Sequence, residues 1–159
     1  MRTLLVDPSD RGGIAAYTAM VADGLAAAGA SSVWVLASVD VDAAQPDAPY
    51  IRRLPTSEWG RSGPAISFYA RRLETWVRSA YAVAGAVRST RPEIVHVQAP
   101  LNLRLDPHLL RAIRRRAAVI WTAHDVLPHE HTPGDERRVA LVYRACDAVI
   151  VHSEAAADE

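Results

Sequence analysis

Six short apolar runs, most of them separated by helix-length amphipathic stretches, constrain this chain more than any other feature. A strand followed by a helix and a further strand closes most readily as a parallel crossover unit. Parallel strands are covered on both faces, so they read as continuous apolar runs rather than as alternating ones. Thr3-Leu4-Leu5-Val6, Ser32–Leu36, Tyr50–Leu54, Glu93–Val97, Ala118–Trp121 and Ala148–Val151 are such runs. The pattern predicts an α/β fold, a doubly wound and mostly parallel sheet of about six strands with helices on both faces.

Helix signals fill most of the intervals. Ile14, Tyr17, Val21 and Leu25 recur at helical spacing between Ile14 and Ala28, and Gly29 supplies a natural stop. Residues 38–49 read as a loop, which places Tyr50–Leu54 near a sheet edge. A long helix is predicted from Pro64 to Ser89, with Ile66, Tyr69, Leu73, Trp76, Val77, Ala80, Tyr81, Ala84 and Val87 on one face. Arg71, Thr75 and Arg78 lie opposite, and the apolar stripe is expected to cover the sheet. Asp106 reads as the cap of a helix that has Pro107 at its first position and runs to Arg116. A further helix is expected over Gly134–Ala145, and another starts at Ser153 and is left unfinished at Glu159.

The 159 residues suit a single domain, and with half of them apolar and 23% charged, intrinsic disorder is excluded. No apolar run has the length of a membrane span, and Met1–Val6 lacks the apolar segment of a signal peptide, so the expected location is the cytoplasm. Cys146 is the only cysteine and lies in an apolar stretch, where a small buried residue is expected rather than a nucleophile. All 18 basic residues are arginine, and they concentrate in the middle of the chain: residues 50–116 hold 13 Arg and four acids. Such a block suggests a positive face and a peripheral contact with an anionic membrane, electrostatic rather than inserted; the alternative is that the charges pair with Glu58, Glu74 and the acidic flanks. No nucleic acid partner and no cofactor are expected.

Ligands of doubly wound sheets bind beyond the carboxyl ends of the strands. Those ends here carry Asp7–Gly13, Gln98–Arg104, Thr122–His131 and His152-Ser153. Gly12-Gly13, between a strand and a helix N-terminus, suits an anion such as phosphate; its plain alternative is a tight turn. The dinucleotide fingerprint is absent, and Walker A would require a lysine that the chain lacks. His124-Asp125 can contact a sugar or orient a hydroxyl, or can equally be a satisfied histidine and a turn cap. His124, Asp125, His129, Glu130 and His131 crowd into eight residues, but Pro128 breaks any regular ligand geometry, so no metal site is expected. Ser153 lacks the surroundings of a hydrolase elbow.

Four segments in order resemble one family. Asp10-Arg11-Gly12-Gly13-Ile14 leading to Leu25-Ala26-Ala27-Ala28-Gly29 is similar to the start of a family-4 glycosyltransferase. Pro92-Glu93-Ile94-Val95-His96-Val97-Gln98 resembles that family's P-D-[IV]-[IV]-H-x-H strand, with Gln98 where the second histidine often falls. Thr122-Ala123-His124-Asp125 resembles its T-x-H-D segment, and Cys146–Glu154 its A-D-x-[IV]-[IV]-x-x-S segment.

The resemblance implies the GT-B architecture, two Rossmann-like domains facing across a cleft, of which residues 1–159 would be the acceptor-side domain. It implies retaining transfer from a nucleotide-diphosphate sugar to an acceptor hydroxyl, without a metal. It places Gly12 and Gly13 near the donor's distal phosphate and His124, with Asp125, at the transferred sugar. Asp10, Arg11 and Gln98 are assigned to the acceptor. The family's donor-binding C-terminal domain, with its E-x7-E motif, lies outside this sequence. The chain is therefore expected to be truncated at its C-terminal end and inactive alone. The rival expectation is a non-catalytic binding module that pairs with a separate donor-domain chain. A nicotinamide-binding domain is a third, disfavoured by the missing fingerprint and by Asp40 lying past the second strand.

Overall fold

Leu4, Leu5 and Val6 are all at most 1% exposed, so three successive residues of the first strand are covered although their side chains point to alternate faces. That is the signature of a strand in the middle of a two-sided sheet. The computed structural model describes residues 1–9, 12–39, 48–55, 65–124 and 133–152, and of residues 65–67 only the backbone. In these the order is β1 (Arg2–Asp7), α1 (Gly13–Ala27), β2 (Ser32–Ser38), β3 (Tyr50–Leu54), α2 (Ala65–Thr90), β4 (Ile94–Val97), α3 (Asp106–Arg114), β5 (Ala118–Ala123), α4 (Asp135–Tyr143) and β6 (Ala148–Val151). The expected helix after Ser153 lies outside the described residues.

Every strand pair is parallel, and the spatial order is β3-β2-β1-β4-β5-β6, the order of a Rossmann-like sheet. The fold class expected from the sequence is the one observed, with β3 at an edge. Leu5, Val33, Val35 and Ala37 pack with Ala15 and Ala22 of α1 on one face. Leu4, Val6, Val95, Val97, Val119 and Trp121 pack on the other, with side chains from α2, α3 and α4. The chain thus leaves β1 and its neighbour β4 toward opposite faces, which opens the crevice of a doubly wound sheet between their carboxyl ends.

The end of α1 follows from Gly29. Its φ of +85° is the left-handed region that favours glycine, and it lets Ala30 N–H donate to the Leu25 carbonyl and Gly29 N–H to that of Ala26.

Two expectations are corrected. The first concerns which side of α2 meets the sheet. Its buried seam is Ser79, Val83, Ala86 and Val87, whereas Tyr69 is 65% exposed, Leu73 52%, Val77 37% and Tyr81 77%. Length explains this. A helix of 26 residues is about 39 Å long, and a strand of six residues about 20 Å. Only the C-terminal half of α2 lies over the sheet. Its N-terminal half extends past the strands, with Tyr69 and Leu73 standing clear, whereas Val77 and Tyr81, roughly half a turn around the helix from the buried Ser79 and Val83, lie on the side turned away from the sheet.

The second concerns Asp106, which is not the cap of α3; Leu105 holds that position. The Asp106 carboxylate accepts N–H groups from Leu101 (3.0 Å) and Asn102 (2.9 Å), and the indole N–H of Trp76 (3.0 Å). It therefore ties the loop after β4 to α2. Burial pushes its carboxyl up to about 7 against the pull of these three donors.

Candidate functional site at the carboxyl ends of the strands

After β1, Asp7 is buried and its carboxylate accepts the Ser9 N–H at 2.8 Å, which turns the chain sharply out of the sheet. Gly12, with φ +85°, is the cap residue that precedes α1. It brings no side chain to cap the helix, and the first turn contains no acidic residue. Gly12 and Gly13 are exposed, and a Cβ at either position would meet nothing within 4 Å. Free space around the glycines, first-turn amides that the Gly12 cap leaves without a side-chain acceptor, and the positive end of the helix dipole meet at one point, where an anion is stabilised. Asp10 and Arg11 lie outside the described residues.

Gln98 stands directly after β4, across the crevice. Its backbone N–H donates to the Val6 carbonyl at 2.9 Å, which holds it against the end of β1. The residue is fully buried, and neither its amide nitrogen nor its amide oxygen has a hydrogen-bond partner among the described residues. An orphaned buried polar group costs about 1–3 kcal/mol, and both halves of this amide are orphaned. Such a cost is retained where a ligand or a bound water is meant to satisfy the group.

The ends of β5 and β6 bring two histidines together. Ala123 and Val151 are register partners, so the next residues on each strand, His124 and His152, stand side by side. His152 Nε2 lies 3.2 Å from His124 Nδ1. Tyr17, in the second turn of α1, meets both rings edge-on, with centroids 5.1 Å and 5.2 Å away. One layer down, buried His96 of β4 pairs through Nε2 with the Thr122 hydroxyl of β5 at 2.7 Å. Burial, aided by the nearby His124, pulls the His96 imidazole down to about 4, so it is neutral at physiological pH. Asp125, His129, Glu130, His131 and Ser153 lie outside the described residues. Among the described residues no group of three or more His, Cys, Asp or Glu could hold a metal.

The structure therefore sets the described parts of the four expected strand ends on neighbouring strands, with Gln98 against the end of β1 and His124 beside His152 under Tyr17 of the helix that follows Gly12 and Gly13. Sequence reasoning did not find Tyr17 as the bridge between α1 and the histidines, because its helical spacing marks it as core. Nor did it pair His152 with His124; only strand register could have done so. Cys146 is the buried residue expected: its thiol donates to the Val142 carbonyl, and burial pushes it up to about 12. Elsewhere, Arg2, Arg88, Arg91 and Arg116 line an open hollow beside Glu93, at the opposite, amino-terminal edge of the sheet.

The sequence matches the family described as Glycosyltransferase Family 4 over residues 11–159. Among solved structures, the UDP-GlcNAc 2-epimerase from Methanocaldococcus jannaschii matches with a TM-score of 0.59 at 11% identity. The match covers 99% of this chain and 41% of that one, so the chain spans about two-fifths of the length of the protein it matches. At that identity the likeness concerns the fold. No curated protein matches the chain.

Proposed function

The chain belongs to glycosyltransferase family 4, and on that premise we propose that it is the acceptor-binding half of a retaining transferase that moves a sugar from a nucleotide-diphosphate sugar to an acceptor hydroxyl. The observation that carries this reading is Gln98, a fully buried amide at the switch point of the sheet whose donor and acceptor find no partner among the described residues. A hydroxyl both donates and accepts, and so complements such an amide.

In the reaction, the bond between the sugar's anomeric carbon and the diphosphate oxygen breaks. A bond from the acceptor oxygen to the same carbon forms, and the hydroxyl proton passes to the departing diphosphate. Negative charge accumulates on the departing diphosphate. The amides beside Gly12-Gly13 would stabilise that charge, since they are already oriented before it appears. His124 would contact the transferred sugar with Asp125 beside it, and Asp10, Arg11 and Gln98 would hold the acceptor. The donor-binding half would come from a domain outside these residues, either further along one reading frame or on a separate chain. In the second case this chain would be the non-catalytic partner.

Gln98→Leu tests the reading. An apolar side chain of similar length removes both orphaned groups, so thermal or chemical unfolding should show a gain of about 1–3 kcal/mol. In the complete enzyme the acceptor KM should rise about tenfold while the donor KM stays unchanged, the loss of one hydrogen bond at about 1.4 kcal/mol. A stabilised variant with unchanged acceptor KM would remove Gln98 from the acceptor site.

A peripheral contact with an anionic bilayer is a second element of the proposal, favoured by the exposed Tyr69, Leu73, Val77 and Tyr81 of α2. Arg72, whose guanidinium sits 5.4 Å from the Phe68 ring centre, and Arg78 are exposed on the same helix. Tyrosines on an amphipathic helix with arginines suit the interface between headgroups and acyl chains. The stripe is not core, so apolar insertion should add to the electrostatic attraction expected from the sequence. Among the described residues no helix is long and apolar enough to cross a membrane. Cosedimentation with anionic vesicles should exceed that with neutral ones and fall with salt. Leu73→Ser with Tyr81→Ser should weaken it at every salt concentration. Equal binding to both vesicle types would remove the contact from the proposal.

A further inference from the structure

The residue after β6 has no part in the function proposed above, yet its ring makes a directed contact with His124. His152 Nε2 and His124 Nδ1 are 3.2 Å apart, the rings are tilted by 39°, and their centres are 5.0 Å apart. The geometry is that of a hydrogen bond between two imidazoles rather than of stacked faces. Such a bond needs one facing nitrogen to carry a proton and the other to present a lone pair. In a neutral His124 ring, the state of Nδ1 then decides the state of Nε2. If Nδ1 accepts, Nε2 is a donor; if Nδ1 donates, Nε2 is an acceptor.

The contact is built into the fold. The pairing of Ala123 with Val151 puts the two histidines one residue beyond the last register pair. Tyr17 then closes against both rings at nearly right angles, 88° to one and 90° to the other. A rotation of the His124 ring would lose the contact to His152 and the edge contact to Tyr17 together. Tyr17 also belongs to the helix that starts at Gly12-Gly13, so the glycine loop and His124 share one support.

We propose that His152 is a positioning residue, which fixes the ring orientation and tautomer of His124 through the Nε2···Nδ1 hydrogen bond, with Tyr17 as the wedge that keeps the two rings in register. The consequence for chemistry, a defined donor or acceptor at His124 Nε2, rests on the reading that His124 contacts the transferred sugar.

The test follows the ring nitrogens of His124 by nitrogen-15 NMR in the chain itself. The wild type should show one dominant tautomer. His152→Ala should give a mixture, with both nitrogen shifts moving toward their average. His152→Gln, whose amide can donate or accept, should restore one form. Tyr17→Phe keeps the ring edge and should leave the spectrum unchanged. Because His152 is exposed, these variants should fold. In the complete transferase, His152→Ala should lower kcat about 10- to 100-fold, the range for residues that orient a functional imidazole, with partial recovery in His152→Gln. An unchanged His124 spectrum in His152→Ala overturns the proposal. A changed spectrum together with wild-type turnover in His124→Ala overturns instead the reading on which its chemical consequence rests.

Discussion

Gly13→Val is expected to cut turnover in the complete transferase by about 100-fold or more, in the range seen when preorganised amides are lost from a site of developing negative charge. Fold stability should stay within about 1 kcal/mol of the wild type. Both halves of the expectation come from the geometry. Gly13 is the first residue of α1, in ordinary helical space, and a Cβ there meets nothing within 4 Å. A valine therefore fits, and its helix propensity is no poorer than that of the glycine it replaces. Its two methyl groups, however, stand where an anion must approach the amides of the first turn. Gly12 would be the less informative target. Its φ of +85° with ψ −163° makes any side chain there strained by about 1–3 kcal/mol, so lost activity could reflect a displaced loop. Gly24→Ala, further along the same helix with equally open surroundings, is the control and should leave turnover unchanged. Turnover within twofold of wild type in Gly13→Val would remove the glycine loop from the donor phosphate.

The strands were legible because burial on both faces leaves no room for polar residues in their middles, and Leu4-Leu5-Val6 reads the same in the sequence as in the sheet. Their order was not legible from periodicity; it arises from crossovers that send α1 to one face and α2 to the other. What the sequence misreported shares one cause, distance along the chain. The four-residue spacing of Tyr69, Leu73, Val77 and Tyr81 marks an apolar arc but cannot show whether that arc or the neighbouring one meets the sheet, and here small Ser79 and Ala86 lie in the buried seam. Asp106-Pro107 looks locally like a capped helix start, yet its carboxylate is claimed partly by Trp76, 30 residues upstream. The candidate site divides in the same way. Gly12-Gly13 is a local signal and was found. The contact of His124 with His152 spans 28 residues and depends on strand register. Nothing in the sequence could show that Gln98 lacks partners, since that is a property of everything packed around it.

A nearly flat dependence of stability on pH between about 4.5 and 6 is expected for the wild-type chain, produced by two large effects of opposite sign. His96 has an ordinary value of 6.5 that burial lowers to about 4 in the fold. Between those values the unfolded chain holds a proton that the folded chain does not, so this group makes stability rise with pH. Asp106 has an ordinary value of 3.8 that burial raises to about 7. Over nearly the same interval the folded chain holds the extra proton, so this group makes stability fall as pH rises. At about 1.4 kcal/mol per pH unit, each would move stability by roughly 3–4 kcal/mol if it acted alone. Single substitutions should separate them. Asp106→Asn keeps an amide oxygen for the Trp76 indole and removes the falling contribution, so its unfolding free energy should climb by about 3 kcal/mol from pH 4 to 6.5. His96→Gln keeps a polar partner for Thr122 and removes the rising contribution, so its stability should drop by a similar amount over that range and then level off above pH 7. Chemical denaturation at half-unit pH intervals measures all three profiles. A flat profile in His96→Gln would show that the Asp106 carboxylate is ionised in the fold throughout, held so by the N–H groups of Leu101, Asn102 and Trp76, and that burial does not dominate at the loop after β4.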